Sequence, residues 1–141
     1  MPQRAEDVPM LNLLIVEDEA LIAMMMEDAL ISRGHRVVGV ADTLPSALDL
    51  AGAHAIDLAL CDVRLANGDS GVEVATRLAQ QGIPVVYVSG NCPADAPHPL
   101  VIGCVNKPVP VAALHATVLA ACRIAKADEP VAVPPALTLY R

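Results

Sequence analysis

Positive charge is scarce in this sequence. Nine Lys and Arg residues stand against sixteen Asp and Glu residues, and the formal net charge is −7. The basic residues form no cluster along the chain. Because binding to nucleic acid or to an anionic membrane surface depends on concentrated positive charge, we expect neither as a partner. The charge balance favours a protein or a cation instead.

Recognisable cysteine motifs and long apolar runs are also missing. The four cysteines, Cys61, Cys92, Cys104 and Cys122, show neither a C-x-x-C pair nor a zinc-type spacing. No signal peptide precedes the first apolar run, and the longest apolar stretch, residues 109–122, is too short to span a bilayer. We expect a cytoplasmic protein without a membrane segment, in which the cysteines are small buried hydrophobic residues.

The length of 141 residues suits one domain. Residues 1–9 are polar with two prolines, and we expect a flexible N-terminus there. The domain is predicted over residues 10–126. Residues 127–141 contain three prolines and predict a flexible tail with no output domain, although the run "PPALTLYR" could dock on a groove of this or a neighbouring chain.

Five apolar runs alternate with segments of helical spacing, which predicts an α/β fold. The runs "LNLLIV", "RVVGVA", "DLALCDV", "IPVVYVSG" and "LVIGCV" are typical of buried parallel strands. We expect a flavodoxin-like, doubly wound sheet of five parallel strands in the order 2-1-3-4-5. The fourth helix is expected to be short or disordered, because residues 90–99 hold three prolines.

Acidic residues follow two of these strands directly. Glu17 and Asp18 come after the first strand, and Asp62 ends the third. In the order 2-1-3-4-5 these two strand ends lie next to each other, at the point where ligands bind in open parallel sheets. Like charges about 4 Å apart repel by roughly 4 kcal/mol at an effective dielectric near 20, so we expect a cation there. Hard carboxylate ligands favour Mg²⁺.

Two further polar residues follow the fourth and fifth strands. Ser89 follows the fourth strand and Lys107 follows the fifth. Taken alone, a serine there is most often a turn residue and a lysine most often a surface residue. Together with the acids, they fit phosphoryl transfer to a carboxylate, with one Asp as the nucleophile and the hydroxyl and ammonium groups holding the phosphate oxygens.

The set "VEDE", "ALCDVRL", "VVYVS" and "NKPV" resembles the receiver domain of two-component response regulators over about residues 10–126. The resemblance implies that Asp62 is the phosphoacceptor and that Ser89 and Lys107 bind the phosphoryl group. It implies Mg²⁺ binding by Glu17, Asp18, Asp62 and the backbone carbonyl of Arg64, and a cis peptide bond between Lys107 and Pro108. The implied phosphodonor is a sensor histidine kinase or a histidine phosphotransfer protein.

The sequence departs from the family where the phosphorylation signal is usually relayed. An aromatic residue normally stands three positions before the lysine, and here that residue is Cys104. Tyr87, two positions before Ser89, is a candidate substitute because strand alternation places both side chains on one face. We expect phosphorylation to order residues 90–99 with Tyr87 as the reporter, or else Tyr87 is simply a half-buried strand residue.

Other functions remain open at this stage. A receiver without an output domain would act by binding proteins or as a phosphate sink, and a degenerate receiver would only serve as a scaffold. A phosphatase with an aspartyl nucleophile is less favoured, because "VEDEA" lacks the D-x-D motif. A nucleotide or flavin binder is disfavoured because neither G-x-G-x-x-G nor a P-loop motif occurs. We therefore expect stoichiometric phosphorylation rather than enzyme turnover.

Overall fold

The structure, a computed structural model, describes residues 10–65, 68–126 and 132–140. Its strands form one sheet in the order β2-β1-β3-β4-β5-β6, in which the first five strands run parallel. The strands are β1 (Asn12–Val16), β2 (Arg36–Ala41), β3 (Leu58–Asp62), β4 (Val85–Ser89), β5 (Val101–Asn106) and β6 (Leu137–Leu139). The predicted fold class and the order 2-1-3-4-5 are confirmed.

Helices cover both faces of the sheet, as the doubly wound topology requires. They are α1 (Ala20–Ile31), α2 (Leu44–Ala53), α3 (Gly71–Gln80) and α4 (Leu114–Lys126), the last preceded by a 3₁₀ turn over Val111–Ala113. One core layer packs α1 and α4 against the sheet, with Met26 and Val118 at its centre. The other packs α2 and α3 against the opposite face, with Val74 and Leu78. The central strands β3 and β4 are therefore buried on both sides.

Helix starts and stops follow the signals in the sequence. Thr43 caps α2 through a reciprocal hydrogen-bonded box with Ser46, and Pro45 lies in the first turn. Gly34 ends the turn after α1 with φ at +90°, a conformation that favours glycine. These local features fix where each crossover helix begins and ends.

The segment between β4 and β5 contains no helix. Residues 90–100 form turns and bends, in agreement with the expectation that three prolines would shorten or remove the fourth helix. The sheet consequently has four flanking α-helices among the described residues rather than five.

The expectation of a five-stranded sheet followed by a flexible tail is wrong for residues 132–140. Leu137–Leu139 form β6, which pairs antiparallel with β5, so the sheet has six strands. Gly103 permits this pairing, because a Cβ at that position would collide with the carbonyl oxygen of Thr138. The terminal expectations for residues 1–9 and 127–131 lie outside the described residues.

Helix α1 presents apolar side chains to solvent. Met24 and Met25 are 57% and 45% exposed, whereas Met26 is buried in the core. Leu21 and Ile31 extend the same exposed side of the helix.

No described helix combines the length and the apolar character needed to cross a membrane.

Two histidines from distant parts of the chain meet at the start of α4. Nε2 of His35 lies 2.9 Å from Nδ1 of His115, and Nδ1 of His35 accepts a hydrogen bond from the backbone N–H of Leu11. His35 is therefore held neutral, with its proton on Nε2. Burial lowers the pKa of His35, and the nearby charges of His115 and Arg33 lower it further.

We expect the buried His35 to make folding pH-dependent. Since its pKa is lower in the folded state than the ordinary value of about 6.5, its contribution to stability is complete above that pH and decreases as the pH falls below it. Urea unfolding of the native chain and of His35→Asn, from pH 8 to pH 5, should give a stability difference that shrinks with acidification. A constant difference across this range would contradict the assignment of a neutral His35.

Candidate functional site

Three carboxylates meet at the carboxyl-terminal edge of the sheet. Glu17 and Asp18 follow β1 and Asp62 ends β3, and because these strands are neighbours their ends lie side by side. One oxygen of each carboxylate lies within 4.8 Å of the others. Glu17 is 2% exposed and Asp62 is 6% exposed, whereas Asp18 is partly exposed. The predicted convergence of these three residues is found.

Glu17 is the most constrained of the acids. Its backbone N–H donates to the carbonyl of Ala41, and its Oε2 accepts a hydrogen bond from the N–H of Glu19 at 3.2 Å. Its Oε1 is buried and has no well-formed hydrogen bond to any described residue. Burial raises the pKa of Glu17 to about 7, and the charge of Asp62 adds to this shift, although the Glu19 N–H opposes it. The carboxylate is thus incompletely compensated.

Lys107 lies over the acids. Its Nζ is 3.2 Å from Oε1 of Glu17, 3.2 Å from Oδ2 of Asp62 and 3.6 Å from Oε1 of Glu19. Burial lowers the pKa of the Lys107 ammonium, but the charges of Glu17 and Asp62 outweigh that effect and the pKa is raised overall. Lys107 is therefore firmly charged. The peptide bond between Lys107 and Pro108 is cis, as the resemblance implied.

Asp62 is positioned by the backbone around it. Its Oδ1 accepts a hydrogen bond from the N–H of Arg64 at 3.2 Å, while its Oδ2 faces Lys107. Gly71, at the start of α3, packs directly against the Asp62 carbonyl, in a space that a Cβ would fill. The helix N-terminus and the strand end can approach this closely only because residue 71 is glycine.

Ser89 lines the same cleft but is engaged locally. Its Oγ donates to the carbonyl of Asn91 at 3.0 Å and accepts from the Asn91 N–H at 3.1 Å. The cleft has a volume of about 400 Å³ and is lined by Glu19, Asp62, Arg64, Ser89, Gly90, Asn91 and Lys107. The hydroxyl is thus placed at the cleft wall, with Asn91 as its partner.

The two candidate relay residues lie behind the cleft rather than in it. Tyr87 in β4 and Cys104 in β5 are paired in the sheet register, and both are buried in the α2–α3 layer. Tyr87 is fully buried rather than half-buried, and its hydroxyl has no hydrogen-bond partner within the described chain. Its ring meets the ring of Tyr140 edge-on, with the ring centroids 6.0 Å apart.

The expectation that all four cysteines are small buried hydrophobic residues is corrected by the structure. Cys104 forms a disulfide with Cys92, whereas Cys61 and Cys122 are free and buried as expected. The spacing of twelve residues gave no sign of a pair, because only the register of β5 against the segment after β4 brings the two sulfurs together.

A family comparison agrees with this geometry. The model of the response regulator receiver domain matches residues 13–119. The chain belongs to this family.

Relatives of this receiver domain include two bacterial regulators. The chain is 38% identical over 80 residues to the phyllosphere-induced regulator PhyR of Methylorubrum extorquens, covering 55% of this chain and 30% of that protein. It is 37% identical over 85 residues to the transcriptional regulatory protein PdtaR of Mycobacterium tuberculosis, covering 60% and 41% respectively. The chain thus spans less than half the length of these two relatives.

A solved receiver domain matches over most of its length. The solution structure of the PhyR receiver domain of Erythrobacter litoralis has a TM-score of 0.70 and 31% identity, with 88% of this chain and 97% of that chain covered. The similarity extends across the whole domain, so the two chains share the fold as well as the motifs.

The acidic group of this receiver domain fits a divalent cation. Its donors are hard carboxylate oxygens, which Mg²⁺ prefers. The ammonium of Lys107 contributes one positive charge against three carboxylates, and Oε1 of Glu17 is buried without a well-formed hydrogen bond among the described residues. A divalent cation held by these oxygens would remove that deficit.

Three residues of the site were missed from the sequence. Glu19 follows Glu17 and Asp18 in the sequence, and its carboxylate lies 3.6 Å from Nζ of Lys107. Gly71 supports the Asp62 backbone, and a glycine at the first position of a helix is the signal that could have revealed it. Asn91 holds the Ser89 hydroxyl, and no local pattern distinguished it from the other turn residues.

Replacing Gly71 with alanine tests the backbone support of Asp62. The new Cβ would overlap the Asp62 carbonyl, so we expect Gly71→Ala to destabilise the fold by about 1–3 kcal/mol and to weaken Mg²⁺ binding. Urea unfolding and calorimetric Mg²⁺ titration measure the two effects. Gly52→Ala, in an open position of α2, is the matched control and should stabilise by up to about 1 kcal/mol. Equal effects of the two substitutions would contradict the close approach.

Proposed function

We propose that this receiver domain accepts a phosphoryl group on Asp62 from the phosphohistidine of a sensor kinase or histidine phosphotransfer protein. The observation that carries the proposal is the grouping of Asp62 with the carboxylates of Glu17 and Asp18 and with the ammonium of Lys107. Asp62 and Lys107 line the cleft. A nucleophilic carboxylate, neighbouring metal ligands and a fixed cation are the parts that phosphoryl transfer needs.

Each group has a distinct role in the proposed reaction. A carboxylate oxygen of Asp62 forms a bond to phosphorus as the bond from phosphorus to the imidazole nitrogen of the donor breaks. Lys107, 3.2 Å from Asp62 in the free protein, offsets the negative charge that the phosphoryl oxygens bring. Glu17, Asp18, Asp62 and the carbonyl of Arg64 would hold Mg²⁺, which neutralises phosphate oxygens when bound.

Ser89 connects the cleft to the segment that follows it. Its hydroxyl bonds Asn91 in the free protein, and on phosphorylation it would donate to a phosphoryl oxygen instead. The exchange would release one hydrogen bond of the Asn91 turn and so alter residues 90–99. Tyr87 lies two positions before Ser89 in the same strand. Its buried hydroxyl has no hydrogen-bond partner among the described residues, which makes it the side chain most sensitive to such a change.

The exposed apolar side of α1 supports a protein as the phosphodonor. Leu21, Met24, Met25 and Ile31 form this side, and α1 begins directly after Glu19 at the cleft wall. Exposed apolar clusters on soluble domains mark protein contacts, and methionine adapts well to varied partners. A kinase docked on α1 would bring its histidine to the cleft. The chain itself would act as a stoichiometric acceptor rather than as an enzyme.

Incubation with acetyl phosphate and Mg²⁺ tests the proposal. We expect a single phosphoryl adduct by intact mass on the native chain and none on Asp62→Asn, because the amide cannot act as the nucleophile. Asp49→Asn, which removes an exposed carboxylate from α2, is the matched control and should be labelled normally. Labelling of Asp62→Asn would refute the assignment, and steady turnover of phosphate esters by the native chain would favour a phosphatase.

Substitutions on α1 separate donor binding from chemistry. With a sensor kinase whose phosphohistidine labels the native chain, we expect Met24→Glu to slow transfer about tenfold, because a charge would enter the docked surface. Labelling by acetyl phosphate should be unchanged. Ala53→Glu places the same charge on α2, on the other face of the sheet, and should leave both rates intact. Equal transfer rates for the two variants would exclude α1 as the docking surface.

A further inference from the structure

The Cys92–Cys104 disulfide lies where the chain leaves the cleft. Cys104 is in β5 and is 1% exposed, whereas Cys92 is in the segment after β4 and is partly exposed. Their Cα atoms are 6.0 Å apart. The other two cysteines are shielded: burial raises the pKa of Cys61 far above its usual range and that of Cys122 to about 11. Of the four cysteines, Cys92 is thus the one that is not fully buried, which makes it the most accessible to thiol chemistry.

The bond fixes a segment that has few other attachments. Residues 90–100 contain neither helix nor strand. Near its start the segment is held by the Ser89–Asn91 hydrogen bonds, and the Tyr140 hydroxyl donates to the Pro93 carbonyl at 2.8 Å. At its end, the Leu100 carbonyl accepts from the N–H of Val85. Between these points, the disulfide is the one covalent link from the segment to the sheet among the described residues.

We propose that Cys92 and Cys104 are a redox modification site, converted between disulfide and dithiol by exchange with a dithiol or disulfide partner, and that the disulfide anchors residues 90–100 at the rim of the cleft. Exposed disulfides are more labile than buried structural bridges, and one partner of this bond, Cys92, is partly exposed and lies in an irregular segment. Gly90 and Asn91, which precede Cys92 directly, line the cleft wall.

The exchange is balanced in both directions. In reduction, a thiolate of the dithiol reductant attacks Sγ of Cys92, the Sγ–Sγ bond breaks, and Cys104 leaves and takes up a proton. The second thiol of the reductant then attacks the reductant sulfur that is bonded to Cys92 in the mixed disulfide. This step closes the disulfide of the reductant and releases Cys92 as a thiol. Two electrons and two protons pass from the reductant to the pair. With glutathione disulfide the sequence runs in reverse and yields two molecules of glutathione.

Thiol counting across a series of glutathione redox buffers tests the site. The full chain is equilibrated, quenched in acid, denatured and alkylated, and its mass is measured. We expect two labels under oxidising conditions, four under reducing conditions, and peptide masses that identify Cys92 and Cys104 as the changing pair. Cys122→Ala should shift the counts to one and three with an unchanged midpoint. Four labels at every buffer composition would overturn the proposal.

Amide exchange tests the anchoring. After reduction we expect residues 90–100 to exchange about tenfold faster or more, because closing a loop of this size restricts the chain substantially. Helix α2 is the internal reference and should keep its rate. In the variant with both Cys92→Ala and Cys104→Ala, residues 90–100 should exchange as fast as in the reduced chain, and adding reductant should not change the rate. If this variant fails to fold, the comparison of the reduced and oxidised native chains still tests the anchoring. Equal exchange in both redox states would overturn the anchoring.

The effect of this site on the cleft rests on the proposed function. With residues 90–100 released, water reaches the cleft wall more readily, so the acyl phosphate on Asp62 should hydrolyse faster in the reduced chain than in the oxidised chain. An adduct of equal lifetime in both states would overturn the coupling to the cleft. Absence of any adduct would refute the proposed function alone, since the thiol counts and exchange rates are measured without a phosphodonor.

Discussion

The arrangement of the cleft depends on one ammonium group. Lys107 lies 3.2 Å from both Glu17 and Asp62, two buried carboxylates that would otherwise repel each other. The three residues come from the ends of β1, β3 and β5, so the parallel sheet itself brings the charges together. This single positive charge faces three carboxylates, those of Glu17, Asp18 and Asp62. The fold therefore maintains a charge deficit that a divalent cation can fill.

The fold and the composition of this cleft could be predicted because both depend on local patterns. Alternating strand and helix periods specify a parallel α/β sheet, and in such a sheet the strand ends share one edge. Glu17, Asp62 and Lys107 each follow an apolar run directly, so their meeting place follows from topology alone. The loss of the helix between β4 and β5 was equally local, since three prolines within residues 90–99 exclude it.

The remaining features depend on contacts between residues that are far apart in the sequence, and no local pattern indicates these contacts. The pairing of β6 with β5 needs a glycine at position 103, which pairs with Leu139 and lies against the Thr138 carbonyl, and nothing in "PPALTLYR" identifies its partner strand. The His35–His115 contact joins residues 80 positions apart. The disulfide likewise depends on strand register. In each case a residue has two plausible local roles, and only tertiary packing selects between them.

Replacing the relay aromatic with Cys104 changes how a signal could leave the cleft. A ring on β5 can rotate, whereas a bridged cysteine cannot do so without breaking its bond. Tyr87, beside it in the register, is enclosed, and its buried hydroxyl has no hydrogen-bond partner among the described residues. Tyr140 joins this group to Pro93 and to β6. The segment after β4, Cys104 and the two tyrosines thus pack together in one layer, next to the strand that ends at Ser89.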